Sequence, residues 1–491
     1  MSTHKHPSAI VALAAFGLVG ACFVDIPEFA EGPSADSSAA GYGGTAGTGA
    51  AGIGGTAGTG AAGVGGIAGA GATDAGAGAA GDAGAGFGGS AGGAGDAGDA
   101  GTGIPPECTN AYFVASDGGD ANPGSMAEPW RTLERVNTAS LSPGDCVLFR
   151  RGDVWMNGLD AGWSGTQTQP IIVAAYGVGN APVMHEVKII ERDYVTLRGL
   201  HVSDAVDTGV KVFDTLGVTL EDCEVDYAGS ANINIKNASD LLMRRVHSHD
   251  ASSSGLDLYS EGDSLSQDVV IEDSSFYDNG DAGITMMGLS TYRILRPVVR
   301  RNLLYGNRQG INDLASDDAL YHHNVVHSHH SAVFNVAKRE SDPGDLAARN
   351  ARIFNNVLYN PTLLEWGTVL NVGAHNTGIV VKNNVLVSFE GDRAVAVAAG
   401  GEVSLDHNVY FGGSMNWHGD LTDTLADWQA SSGQDLNSWM EDPLFEDPPS
   451  DLHVLSGSPC IDTGVNVGLT QDIDGDASPQ GGGFDIGVQE Q

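Results

Sequence analysis

The sequence predicts an all-β parallel β-helix, a solenoid of short strands, on the strength of three observations. First, apolar positions recur at Leu197, Leu220, Met243, Ile271, Val299, Tyr321, Ile353, Val381 and Leu405, spaced by 22 to 32 residues. A recurring unit of that size buries its apolar face only by stacking on its neighbours. Second, the position three residues later reads Leu200, Cys223, Val246, Ser274, Asn302, Asn324, Asn356, Asn384, Asn408. Five successive asparagines at one position suit strands stacked about 4.8 Å apart, where each amide bonds the next. Third, the two columns between alternate in sign: Arg198, Glu221, Arg244, Glu272, Arg300, and Asp222, Arg245, Asp273, Arg301. Each charge then lies between opposite neighbours, in cross-strand pairs contributing roughly 0.2–1 kcal/mol apiece. These arginines are scaffold.

The elements follow in chain order. Residues 1–22 carry Lys5, an apolar run from Ala9 to Val19, and Val19-Gly20-Ala21-Cys22. This is similar to a bacterial lipoprotein signal, with cleavage before Cys22 and lipid on its thiol, and is a targeting segment. Residues 23–105 are mainly Gly, Ala, Ser, Thr and Asp, and GGTAGTGAAG at 43–52 recurs at 54–63. Such a tract lacks apolar surface to bury and serves as a flexible tether. The expectation is an exported chain, lipid-anchored to a bacterial membrane at its outer membrane or cell surface, touching the membrane through that anchor alone. Residues 106–190 form an amino-terminal cap with the first strands, where Cys108 and Cys146 form the expected disulfide of an oxidising compartment. Residues 191–412 are the β-helix, and residues 413–491 a carboxy-terminal cap.

Within the array, six residues after each start, His249, Tyr277, Tyr305, His327 and Tyr359 form an aromatic column, read as packing. His322 and His323 join the charge columns, which leaves His329 and His330 to face a ligand and gives no zinc site. A second strand per unit alternates Val, Ile and Leu inward with Lys211, Asn234, Asp257, Thr285, Asn312, Asn335 and Asn371 outward. A polar row on a rigid sheet is where a long polymer lies. The net charge of −39 excludes nucleic acid as a partner, which needs a basic surface. It also requires a local basic group or a cation for any polyanionic ligand. No oligomer is indicated, so a monomer is expected.

Two flanking segments carry a family resemblance. Residues 112–120 (YFVASDGGD), Asn122-Pro123-Gly124, Pro129-Trp130-Arg131-Thr132-Leu133 and residues 143–153 (PGDCVLFRRGD) open the domain; Gly457-Ser458-Pro459, Ile461-Asp462-Thr463-Gly464 and Asp472 to Gly487 close it. Together with the array, about residues 108–491 resemble secreted right-handed parallel β-helix proteins of the pectate-lyase-like superfamily. That superfamily contains lyases, hydrolases, epimerases and binders. Asp472 to Asp476 lacks the glycine and glutamate of a calcium-binding EF-hand loop and is read as a cap turn.

The resemblance implies an acidic, uronate-containing polysaccharide as partner, cleaved by β-elimination. In one calcium-dependent pectate-lyase family, aspartates in the turns between the two strands hold Ca2+; the matching positions here are Asp250, Asp278 and Asp281. A lysine before the next glycine serves as base there, but this chain reads Asn307-Arg308-Gln309-Gly310, which leaves Arg308, with Lys211 and Lys338-Arg339 as further basic groups. Asp257, Asn312, Asn335 and His329 are the expected substrate contacts. Turn chemistry is the competing explanation for the three aspartates. A glycoside hydrolase needs paired carboxylates, which Asp313, Asp317 and Asp318 offer. A non-catalytic glycan binder or structural surface protein would use Trp366, Trp417, Trp428 or Trp439, residues that also suit anchoring of the cap.

Overall fold

The computed structural model describes residues 104–262, 265–289, 292–338, 346–365 and 367–491. Cys22, residues 23–103 of the tether, Arg339 and Trp366 lie outside the described residues. The chain winds as a right-handed parallel β-helix whose turns each contribute a strand to three faces. Among the described residues, the first face is a 12-stranded parallel sheet from Asn110–Val114 to Val403–Asp406. The second face stacks short strands, His201–Ser203, Glu224–Asp226, His247–His249, Ser275–Tyr277, Leu303–Tyr305 and Val325–His327. The third stacks Val210–Leu216, Ile233–Ser239, Leu256–Ser260, Ala282–Gly288, Gln309–Asp313, Ala332–Val336 and Thr368–Val372.

The asparagine column is a continuous amide ladder inside the coil. Asn302 Nδ2 donates to Asn324 Oδ1 (3.1 Å), Asn324 to Asn356 (2.9 Å), Asn356 to Asn384 (3.0 Å) and Asn384 to Asn408 (3.2 Å). Each acceptor oxygen also takes the backbone N–H of the preceding asparagine. The ladder therefore satisfies main-chain groups at a corner that makes no sheet bonds. It ends on Asp435, which accepts from Asn408, Tyr410, Trp428 and Ser438. Trp428 lies in the helix Leu425–Ser432, capped by Thr424, and is fully buried over the end of the coil.

The second charge column has a reason beyond pairing. Asp222, Arg245, Asp273, Arg301, His323, Asn355, Asn383 and His407 all hold a left-handed φ between 50° and 57°. Side-chain-bearing residues pay roughly 1–2 kcal/mol in that region. Neighbouring pairs offset part of it: Arg245 to Asp222 (2.6 Å) and Arg301 to Asp273 (2.6 Å). In the first column Glu221 pairs with Arg198 (3.1 Å) and Arg244 (2.5 Å).

At the amino-terminal end Cys108 and Cys146 are disulfide-bonded, with Cα atoms 5.6 Å apart. At the other end, residues after Met440 run back along the second face. Leu452, Cys460, Ile486 and Val488 pack on Val325, Val357, Val385, Val387 and Val409. Asp472 accepts backbone N–H groups from Asp474 and Asp476, as a turn aspartate does.

Candidate functional site

The outward row of the third face is continuous: Lys211, Asn234, Asp257, Thr285, Asn312, Asn335 and Asn371 are direct register partners. Its floor is polar because Ile233, Ile235, Leu256, Leu258, Ile284 and Ile311 turn inward. One margin of the strip is apolar, where Met287, Leu314 and Ala337 cluster. The other is charged: Arg308 reaches Glu365 (3.3 Å) and Asp281 (4.0 Å). Four buried side-chain oxygens on or beside the row, Asn234 Oδ1, Asp281 Oδ1, Gln309 Oε1 and Asn312 Oδ1, have no hydrogen-bond partner. Buried polar atoms are nearly always satisfied, so a concentration of unsatisfied ones along one strip is informative.

Asp257 and Asp281 interact across this strip. Burial pushes the Asp257 carboxyl up to about 6, against hydrogen bonds from Ser254 and Tyr259 and with added repulsion from Asp281. Burial raises Asp281 as well, opposed by the Arg308 charge. The strip thus holds two carboxyls that bind protons more tightly than usual, with one guanidinium alongside.

Asp250, Asp278 and Asp281 do not converge as a set of three ligands; among the described residues that description fits only another group. Asp250 bonds His249 Nδ1 (2.8 Å), Asp278 is exposed, and Asp281 faces Arg308. Tyr227, Asp250, Asp278, Gly306 and Ser328 share a left-handed φ of 52° to 66°, so this column is first a corner. The residues present do not fit the calcium set that the resemblance implies. Lys211 is held by Asp207 (2.9 Å) and Glu186 (3.0 Å); burial alone would ease its proton off, but these partners outweigh it and raise its pKa, the reverse of what a base needs. Arg308 likewise sits in ion pairs as a cation.

His329 does not face a ligand. It is 2% exposed, lies against Gly310 inside the corner, and burial lowers its pKa to about 3. Asn335 accepts from Asn371 (2.7 Å) and is buried, which makes it a link of the row rather than an open contact. Asp313 points inward, fully buried, bonded to Tyr321 (2.8 Å) and Ser316; its burial removes it from any pair with Asp317 and Asp318. A second amide ladder, Asn232, Asn279 and Asn307, also escaped the sequence reading. Its signal was asparagine one residue after the corner on successive rungs, at Asn279 and Asn307, which Asn232 joins from beside the next strand.

The aromatic column stacks as expected, but on the outside of the second face. His249–Tyr277, Tyr277–Tyr305 and Tyr305–His327 have centroids 4.6, 4.8 and 5.3 Å apart with near-parallel planes. The inward residues of those strands are Ser248, Phe276, Leu304 and Val326. Beside this stack lies the group that does converge: His201, Glu224 and Asp226, with ligand atoms all within 4.8 Å, able to hold a metal ion. His201 Nε2 is 3.1 Å from Asp226 Oδ2, and His249 Nε2 is 3.3 Å from Glu224 Oε1. Burial opposes charge on both imidazoles, but hydrogen bonds to Asp226 for His201, and to Glu224 and Asp250 for His249, outweigh it and raise their pKa. Sequence reading missed this group because it counted histidines within one run, whereas these come from successive rungs. Among the described residues no helix is long and apolar enough to cross a membrane.

Comparison with known proteins agrees on architecture. The profile of the right handed beta helix region matches residues 183–296. No curated protein matches. Among solved structures, pectate lyase Pel9A is 16% identical, with 78% of this chain and 97% of that chain covered at a TM-score of 0.51. A lacto-N-biosidase from Eubacterium ramulus is 18% identical over 68% of this chain and 67% of that one, TM-score 0.49. An alginate lyase from Paenibacillus sp. str. FPU-7 is 17% identical over 63% and 100%, TM-score 0.44. The chain has a right-handed parallel β-helix fold, which pectate lyase Pel9A shares.

Proposed function

We propose that the chain is a surface-tethered polysaccharide lyase whose uronate-containing substrate lies along the outward row of the third face. The observation that carries this is the strip itself: unpartnered oxygens leading to Asp257, Asp281 and Arg308. The name of Pel9A, which shares the fold, supports a pectate-like substrate. Lipid on Cys22 and the tether at 23–105 would hold the domain away from a membrane, at the outer membrane or cell surface.

The chemistry follows from the three groups. The Arg308 guanidinium pairs with the uronate carboxylate and so makes the neighbouring C5–H more acidic. Asp281, with an oxygen that no donor occupies, takes that proton. Its raised pKa makes it a stronger base than an ordinary carboxylate. The C5–H electrons form the C4–C5 double bond as the C4–O4 bond breaks. Asp257, half protonated near pH 6, delivers a proton to the departing O4.

The same pair of raised carboxyls also suits a glycoside hydrolase, with Asp257 as acid and Asp281 as base or nucleophile. Full chain incubated with pectate, alginate and glucuronan separates these readings. Ultraviolet absorbance of an unsaturated uronate, lost in Asp281→Asn, is the lyase result. New reducing ends without absorbance assign the hydrolase. Binding with neither product, unchanged in Asp281→Asn, leaves a non-catalytic glycan binder and refutes the chemistry.

A further inference from the structure

We propose that His201, Glu224, Asp226 and His249 form a binding site for a first-row divalent cation of the zinc type, on the second face and apart from the polysaccharide strip. The strand register builds it. Glu224 and Asp226 are two apart on one strand and so point the same way. His201 on the preceding rung is opposite Glu224, and His249 on the following rung is opposite Asp226. Two carboxylates on the middle rung are thereby flanked on the diagonal by two imidazoles.

Distances fit a metal of that size. Zinc bonds of about 2.0–2.1 Å at tetrahedral angles place donor atoms about 3.3 Å apart. Here His201 Nε2 to Asp226 Oδ2 is 3.1 Å, His249 Nε2 to Glu224 Oε1 is 3.3 Å, and His249 Nε2 to Asp226 Oδ2 is 3.9 Å. Two further features point to an ion. Asp226 is 5% exposed, yet its Oδ1 has no hydrogen-bond partner. And His249 turns Nδ1 to Asp250 Oδ2 at 2.8 Å, which fixes the ring with Nε2 towards the carboxylates. A carboxylate on the far nitrogen is how metal-binding histidines are oriented. His247 also neighbours Glu224 in the register, but its Nδ1 is taken by Ser275 Oγ at 2.6 Å. Glu224 is the most open of the four side chains, at 45%, and leaves an entry path.

Imidazole with carboxylate favours zinc and its first-row neighbours over calcium, which prefers six to eight oxygens. Bound there, the ion ties three successive rungs together. Asp250 is then a positioning residue, not a ligand.

The test uses the full chain, stripped with chelator and titrated with zinc sulfate by calorimetry. One zinc per chain is expected. Removing an outer partner of a metal ligand costs about 10–100-fold, so losing a ligand should cost at least about 100-fold. His201→Ala and Asp226→Asn should meet that threshold, Asp250→Asn should lose about 10-fold, and His330→Ala, an exposed imidazole elsewhere, should lose nothing. Cobalt should give a visible spectrum that changes in His249→Asn. Absence of saturable zinc binding by the parent chain overturns the proposal. So does equal binding by the parent, His201→Ala and Asp226→Asn. The parent stoichiometry and Asp250→Asn decide the matter even where a ligand variant fails to fold.

Discussion

Replacing Asp257 by Asn should stabilise the protein at neutral pH and abolish the proposed polysaccharide chemistry. Burial lifts the Asp257 carboxyl from 3.8 to about 6, so the folded chain holds this proton more tightly than the unfolded one. A group of that kind contributes its full stability below the unfolded value, and the contribution is lost as pH rises through about 6. That rise from 3.8 to about 6, at roughly 1.4 kcal/mol for each tenfold change in proton affinity, sets a ceiling of about 3 kcal/mol. Asp257 retains some solvent contact, so about 1–2 kcal/mol is the working figure. At pH 7.5 Asp257→Asn should exceed the parent by that amount. By pH 4.5 the gap should shrink to about a third, since the folded carboxyl is then protonated and the pH is only a little above the unfolded value of 3.8. The assay is urea unfolding followed by circular dichroism at the two pH values. Midpoints are compared, because an array of stacked rungs need not unfold in one step. A variant no more stable at pH 7.5, or a gap independent of pH, would refute the reasoning.

Other perturbations address the ladder, the corner and the cation. Asn324→Ala removes the acceptor of Asn302 N–H and Nδ2 and the donor to Val299 and Asn356. With several buried groups stranded at about 1–3 kcal/mol each, a loss of about 3–5 kcal/mol in denaturant stability is expected. Gly306→Ala places a methyl at φ 66° and against Asp278 Oδ1. It should cost about 1–2 kcal/mol from backbone strain, and adding Asp278→Ala should relieve only the contact. Arg308→Gln should lower kcat/KM on a uronate polymer by about 100-fold while leaving stability within about 0.5 kcal/mol, as measured by initial rates and thermal melts. Equal activity would remove Arg308 from the mechanism.

Much of the fold was legible because stacking forces chemistry into columns. Asn302 to Asn408 and the alternating charges have no rationale outside a ladder, so a linear sequence exposed a three-dimensional contact. The site was less legible because a column does not tell which way its side chains point. Asp250 and Asp278 stand in one column, as expected, but positive φ at the corner explains their presence before any ligand does. Asp257 and Asp281, placed in different roles, meet because the corner brings residue 281 beside the outward row. His329 failed for a related reason: Gly310 opens space inside the corner, and the imidazole fills it.

Two metal arguments now compete for any effect of chelator on activity, and the geometry says how to separate them. Calcium at the corner would need Asp250, Asp278 and Asp281, which do not converge; a zinc-type ion needs His201, Glu224 and Asp226, which do, with His249 Nε2 3.3 Å from Glu224 Oε1. Asp250 would be a ligand in the first set and orients His249 in the second, so Asp250→Asn cannot discriminate. Asp281→Asn would remove the proposed base whatever the metal does, so it discriminates no better. His201→Ala can, because His201 is on the second face and Asp281 on the third, with no bond between them. If chelator lowers turnover of the parent and of His201→Ala equally, the ion that matters is at the corner. If chelator lowers turnover of the parent alone, and His201→Ala starts at the lowered rate, the ion acts from the second face by holding the rungs that carry Asp250. Turnover indifferent to chelator in both leaves catalysis to Asp257, Asp281 and Arg308 alone.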